Sequence, residues 1–383
     1  MYLCAIAIMM FIWDKNTEIT AADIPELTEE ILFCGNINEH IGPDVFPNSL
    51  KSIVFGGYFN RPIGENVLPN SLETIDLGDY FDQLIGENVL PDSLKFVKFG
   101  QKFNQPIGEN VLPNSLKSVK FRYRFDQPIG ENVLPNSLKS VKFGYKFNQP
   151  IGENVLPNSL EIIKFGREFN QPIGENVLPN SLESIVFEHD FNQPIGENVL
   201  PNSLKTIEFG YKFNQPIGLN VLPNRLEVIR FGCEFNQHIC ENVLPRSIKC
   251  VEFGVYEYLL SAYNHSISAL YDLNNLERIS LYTKNRIEID VSCLPHSLKY
   301  LHTSNADIVL SLNPDAQRIW FSVILLGLHV LLSVTYPILR PTIYEYGGQY
   351  EVIGTETVDG NKYNILINPE FYQPRSNAKS ARK

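Results

Sequence analysis

Between residues 37 and 256 the apolar and polar positions of this chain repeat with a step of 22. Phe stands at 59, 81, 103, 125, 147, 169, 191, 213 and 235, and Ile37 takes its place in a first copy, so ten copies fill 37–256. Ile recurs at every step from Ile41 to Ile239, and Pro from Pro47 to Pro245. Gly follows the Ile in nine copies, with Cys240 the exception. From Leu50 on, each copy also carries Leu-x-x-Ile/Val-x-Phe, which lapses only at Ile248 for the Leu and Leu77 for the Phe. Val97 and Phe99 thus point one way and Phe96 and Lys98 the other, the pattern of a short strand with one face buried. Proline cannot donate to a ladder, so Pro91 and its equivalents precede the strand in a turn. Gly86 and its equivalents permit positive φ at a second turn. Two further columns, Asn66, Asn88, Asn110 and onward, and Asn60, Asp82, Asn104 and onward, carry side chains suited to bonding turn backbone between copies. The pattern leaves open which of the two forms the ladder.

One copy cannot offset the entropy of ordering its own backbone with so few apolar side chains. Stacking shares ladder bonds and closes the core. The expected fold is an all-β-dominated solenoid with one short parallel strand per 22-residue repeat, capped at both ends.

The runs Phe103-Asn104-Gln105-Pro106-Ile107 and Leu112-Pro113-Asn114-Ser115-Leu116 resemble the FNIP repeat. That family is related to leucine-rich repeats and is abundant in amoebae and the giant viruses that infect them. Leu94, Val97 and Phe99 are similar to the leucine-rich pattern Leu-x-x-Leu-x-Leu-x-x-Asn, although Asn104 comes two places late. The resemblance implies a right-handed leucine-rich-repeat-like coil and a role in protein–protein interaction. Members often carry an N-terminal F-box, and residues 1–36 lack its Leu-Pro opening and helical pattern. A substrate-recognition subunit linked to ubiquitin ligase therefore stands as the alternative function, on the resemblance alone.

Residues 1–36 are expected to form an N-terminal cap with a worn first coil, because Pro25, Ile31 and Phe33 keep the register of Pro47, Ile53 and Phe55. Degenerate repeats follow over 257–302, carried by Leu276, Ile279 and Leu281 and again by Leu298 and Leu301. Residues 303–383 follow no repeat. They are read as a C-terminal cap with a hairpin from Glu351 to Ile367 around Asp359-Gly360-Asn361, then a basic tail. The apolar stretch 319–336 is just long enough to span a bilayer. It contains Gly327 and His329, and a buried strand or helix is the preferred reading.

Composition narrows the function classes. The net charge of −11 argues against general nucleic-acid binding, which needs a basic footprint. Six cysteines without a C-x-x-C pair point to reduced thiols in a cytosolic chain, and the spacing of His238, Cys240 and Cys250 fits no zinc pattern. No Lys or Arg precedes the apolar start "MYLCAIAIMMFIW", so it is not read as a signal peptide, and the expected location is cytoplasmic, or host cytoplasm if viral. A membrane partner is not expected. No Gly-rich phosphate loop or G-x-S-x-G motif is present. The Glu column from Glu65 to Glu197 repeats one environment, whereas acid–base chemistry needs two different ones. The chain is therefore read as non-catalytic, with no cofactor, metal or small-molecule substrate.

The columns that vary among copies are the outward strand positions and the loop after them, as a binding face requires. Between Lys95 and Arg167 twelve bases face five acids, a local charge of +7 that leaves −18 elsewhere. Lys98, Lys120, Lys142 and Lys164 share one outward column, with Phe96, Tyr123, Arg124, Tyr145, Lys146 and Arg167 in neighbouring columns. These ten residues are the candidate contact set for a protein partner with an acidic surface. The competing reading is a charge copied by duplication and tolerated in solvent.

Overall fold

The computed structural model describes residues 10–254, 260–283, 285, 287–290, 294–303, 306–309, 320–325, 328–333, 351–358 and 361–367, with the side chains of these described up to residue 302 except at 288 and 290. The chain divides into two compact units, Met1–Leu226 and Glu227–Lys383.

The first unit is a parallel sheet built one strand per coil. Its strands are β1 (Met10–Trp13), β2 (Glu30–Phe33), β3 (Ser52–Val54), β4 (Thr74–Asp76), β5 (Phe96–Lys98), β6 (Ser118–Lys120), β7 (Ser140–Lys142), β8 (Ile162–Lys164), β9 (Ser184–Val186) and β10 (Thr206–Glu208). Each pairs with the next in parallel, in the register of the repeat, as with Val97 opposite Val119 and Val141 opposite Ile163. β1 and β2 precede the first copy and continue the same register, Ile31 meeting Ile53.

The second unit continues the style with β11 (Val228–Phe231), β12 (Cys250–Phe253), β13 (Arg278–Leu281), β14 (Ile287–Asp290), β15 (Tyr300–Thr303), β16 (Ala306–Val309), β17 (Trp320–Leu325), β18 (Leu328–Ser333), β19 (Glu351–Val358) and β20 (Asn361–Ile367). β11, β12, β13, β15 and β17 pair in parallel, β14 pairs with β16 in parallel, and β17–β18 and β19–β20 pair antiparallel. The apolar stretch at 319–336 thus contributes two strands, and among the described residues no helix is long and apolar enough to cross a membrane. The hairpin turn at 359–360 and the basic tail lie outside the described residues. Among the described residues, helix is confined to short turns at Ala21–Asp23 and Ser268–Leu270. The fold is a leucine-rich-repeat-like solenoid with about one strand per 22 residues.

The core is made of columns. The Leu of each copy and the strand-centre Ile or Val are essentially sealed from solvent, as at Leu94, Val97, Leu160 and Ile163. Two Phe columns stack beside them. Rings of one coil meet at short range, 4.4 Å between Phe99 and Phe103, and each column continues into the next coil, 6.0 Å between Phe103 and Phe125. The unbroken Ile column is shallower: Ile151 is buried near the limit at 8% exposure, and Ile173, Ile195 and Ile217 are half-buried.

The turns correct one expectation. The left-handed residue at this turn is the Asn of the Asn66, Asn88 and Asn110 column in nine copies and Asp44 in the first, at φ near 60°, and not the glycine of the Gly86 column. Asn tolerates that region because its short polar side chain bonds locally. The inter-coil ladder belongs to the other column. Oδ1 of Asn60, Asp82, Asn104, Asp126, Asn148, Asn170 and Asn192 accepts the backbone N–H one coil on, at 2.9 Å in each case. The Gln one coil on also donates its Nε2 to several of these oxygens, as Gln105 does to Asp82 at 3.0 Å. Only the acceptor oxygen is used, which explains why Asp replaces Asn at 82 and 126. Asn170→Asp should therefore change stability by less than about 0.5 kcal/mol. Asn170→Leu orphans the Asn192 N–H and should cost about 1–3 kcal/mol. Urea denaturation of the two variants tests this, and equal effects would remove the ladder's role.

A second ladder was not anticipated from the sequence. The Ser of each LPNS run donates Oγ to a Leu carbonyl one coil back, as Ser115 does to Leu94 and Ser159 to Leu138, both at 2.6 Å. The signal was visible as a small hydroxyl beside the Leu column in nine of the ten copies, with Arg225 the exception.

Candidate protein-docking face

Alternation puts residues 96 and 98 of β5 on the outward face, and parallel register copies that face into every coil. Lys98, Lys120, Lys142 and Lys164 lie directly opposite one another on β5 to β8. Neighbouring strands stand about 4.8 Å apart, so this is a one-signed row at close spacing.

The row is closed by acid at both ends. Lys98 Nζ pairs with Asp76 Oδ2 of the preceding coil at 2.5 Å, and Lys164 Nζ pairs with Glu188 Oε1 at 3.2 Å. Lys142 reaches the same Glu188 oxygen only at 4.0 Å, and among the described residues Lys120 has no carboxylate partner. Burial, then the neighbouring Lys164 and Lys120 charges, hold the Lys142 amine below the usual lysine range, with Glu188 acting in the opposite sense. Sequence reasoning did not find the Glu188 contact because that residue belongs to a different column, the one that is usually glycine.

An adjacent column treats charge differently. Lys51, Lys95, Lys139 and Lys205 each pair with a Glu one coil away, at Glu29, Glu73, Glu161 and Glu183. These pairs are exposed and worth little individually. Within the column, Lys95, Lys117 and Lys139 still follow one another with no acid between them.

The remaining candidates form a second group in the loop after the strand. Tyr123 and Tyr145 stack at 4.7 Å, and the Arg167 guanidinium lies over the Tyr145 ring at 5.4 Å. Lys146 sits 5.7 Å from the same ring and pairs with Glu168 at 2.6 Å. Tyr123, Arg124 and Arg167 are exposed. Phe96 is set apart from both groups: it is half-buried, opposite Thr74 and Ser118 in the other outward column. Arg122 pairs with Asp79 two coils back.

The other candidate chemistry is dispersed. Cys240 Sγ lies 3.5 Å from His238 Nδ1, while Cys250 bonds toward Glu252, and burial first and then that carboxylate push its thiol up to about 12.

Comparison with known proteins places these coils. Among solved structures, the giant-virus protein CroV588, described as a circular leucine-rich-repeat protein, is 44% identical with a TM-score of 0.67, over 77% of this chain and 43% of that one. The chain thus spans less than half the length of that neighbour. An internalin from Listeria monocytogenes is 16% identical with a TM-score of 0.48, over 69% of this chain and 78% of that one. No curated protein matches the chain. The FNIP Repeat family model matches seven times, at 38–80, 59–102, 103–146, 147–190, 169–212, 191–234 and 213–256. With more than half its length accounted for by that repeat, the chain belongs to the FNIP repeat family.

Proposed function

We propose that this protein is a non-catalytic interaction scaffold whose outward strand face receives an acidic surface of a partner protein. The observation that carries this reading is the one-signed lysine row, whose four ammonium groups meet only two carboxylates, Asp76 and Glu188, with Glu188 shared between Lys164 and Lys142. Like charges held one coil apart repel, and an acidic partner surface laid over the row relieves that repulsion. Repeat solenoids typically present such faces to proteins, with a constant core beneath a varying surface. The stacked Tyr123 and Tyr145 add amphipathic contact area of the kind enriched at interfaces.

The test replaces Lys98, Lys120, Lys142 and Lys164 with Ser and measures binding to partners recovered by affinity purification. Affinity is expected to fall about tenfold or more, and its dependence on salt to flatten. Unchanged binding by a folded variant would overturn the proposal and leave the row as a product of duplication.

A further inference from the structure

We propose that the centre of this row, between Lys120 and Lys142, seats a phosphorylated serine or threonine of the partner protein, one phosphate bridging the two ammonium groups. This deepens the docking reading above and rests on it. Four observations lead to it.

The first is charge. Asp76 pairs with Lys98, and Glu188 is shared by Lys164 at 3.2 Å and Lys142 at 4.0 Å, so four ammonium groups meet two carboxylates and a net charge of +2 remains over the row. A phosphomonoester at neutral pH carries about 1.5–2 negative charges and three acceptor oxygens. A carboxylate carries one charge and leaves one lysine of the pair uncompensated.

The second is spacing. Lys120 and Lys142 face each other in register on β6 and β7, about 4.8 Å apart at the backbone. Two carboxylates of an extended partner, on one face, stand about 6.6–6.8 Å apart and fall out of step with the row. A single doubly charged group needs no such match.

The third is the state of the lysines. The Lys142 amine is held below the usual lysine range by burial and by its two lysine neighbours. An anion seated between the amines reverses the second of those causes.

The fourth is the surroundings. The same two coils carry Tyr123 and Tyr145, stacked on each other, and Arg124 is exposed beside Tyr123. Hydroxyl and guanidinium donors are the groups that accompany lysine in recognition of phosphate.

The experiment immobilises the full chain and offers three libraries of short degenerate peptides that differ only at the central residue: phosphoserine, glutamate or serine. The phosphoserine library should be retained about tenfold over the glutamate library. The double variant Lys120→Ser with Lys142→Ser should abolish that preference. The variant Glu183→Ser with Lys205→Ser removes an exposed neutral pair outside the row and should keep the preference within about threefold. Thermal unfolding checks that both variants remain folded. Equal retention of the phosphoserine and glutamate libraries would overturn the phosphate seat while the acidic-docking reading stands. Retention of neither above serine would overturn both. A preference that survives loss of Lys120 and Lys142 would overturn the location. A single-stranded oligonucleotide that binds as tightly, with the same dependence on Lys120 and Lys142, would overturn the assignment to a protein partner.

Discussion

Ile163→Asp is expected to destabilise the first unit by about 5 kcal/mol, the largest effect of any single substitution considered for this protein. Ile163 is sealed at the centre of β8, with Val141 on one side and Ile185 on the other. The substitution removes a buried aliphatic side chain and leaves a carboxylate with no donor among the surrounding apolar columns. Burial raises the folded pKa of the new carboxyl above its unfolded value of about 3.9. The penalty is therefore full at neutral pH and shrinks as pH falls through the raised value, because the neutral acid costs less to bury. Chemical denaturation followed by circular dichroism at neutral and acidic pH reads both effects. Each coil is stabilised by its immediate neighbours, so a broken coil should also lower the cooperativity of the transition. Glu153→Ala, at an exposed turn position, should stay within about 0.5 kcal/mol of wild type. Equal losses from the two variants would show that the inward face has been misassigned.

The second large effect separates two glycine columns. A Cβ at Gly144 would lie 1.5 Å from the Arg122 carbonyl oxygen of the preceding coil, a backbone atom that cannot swing aside. Gly144→Ala should cost about 3 kcal/mol, with the backbone of two coils displaced. At Gly152 a Cβ would meet nothing closer than Val155 Cγ2 at 3.8 Å, and the residue is not in the left-handed region. Gly152→Ala should therefore change stability by less than about 1 kcal/mol, with a stabilising direction open to it through the unfolded chain. Thermal unfolding of the two variants side by side is sufficient. A larger loss at Gly152 would contradict the geometry.

This contrast shows where reading the repeat succeeds and where it stops. The 22-residue step gave strand, register and facing, because alternation around Val97 and Phe99 has a single physical cause and parallel pairing copies it. The repeat says which positions do not change and is silent on the reason. The glycine that follows the Ile in nine copies suggested a turn with positive φ, yet the positive φ sits two residues later at Asn, and the tight backbone approach occurs in another column. That other column hid its importance because Arg122 and Glu188 interrupt it. The same break concealed half of the candidate site. The four lysines were visible as one column, but Glu188 reaches Lys164 from a neighbouring one, and side-chain reach across coils is not written in sequence spacing. The choice between the two Asn columns likewise depended on which side chain points at the next coil's N–H.

The shared register of the coils has a consequence for the gene. The Asn/Asp ladder and the strand pairing join each residue to its counterpart one coil away, and the Ser ladder joins each Ser to the same Leu carbonyl of the coil before. A recombination event that adds or deletes one repeat's worth of codons within the array therefore returns a chain in which each coil still meets a matching neighbour. Shorter or longer slips misalign every column at once. Such a gene can vary the length of its product in whole coils, and with each added coil comes one more set of outward positions on which selection can act.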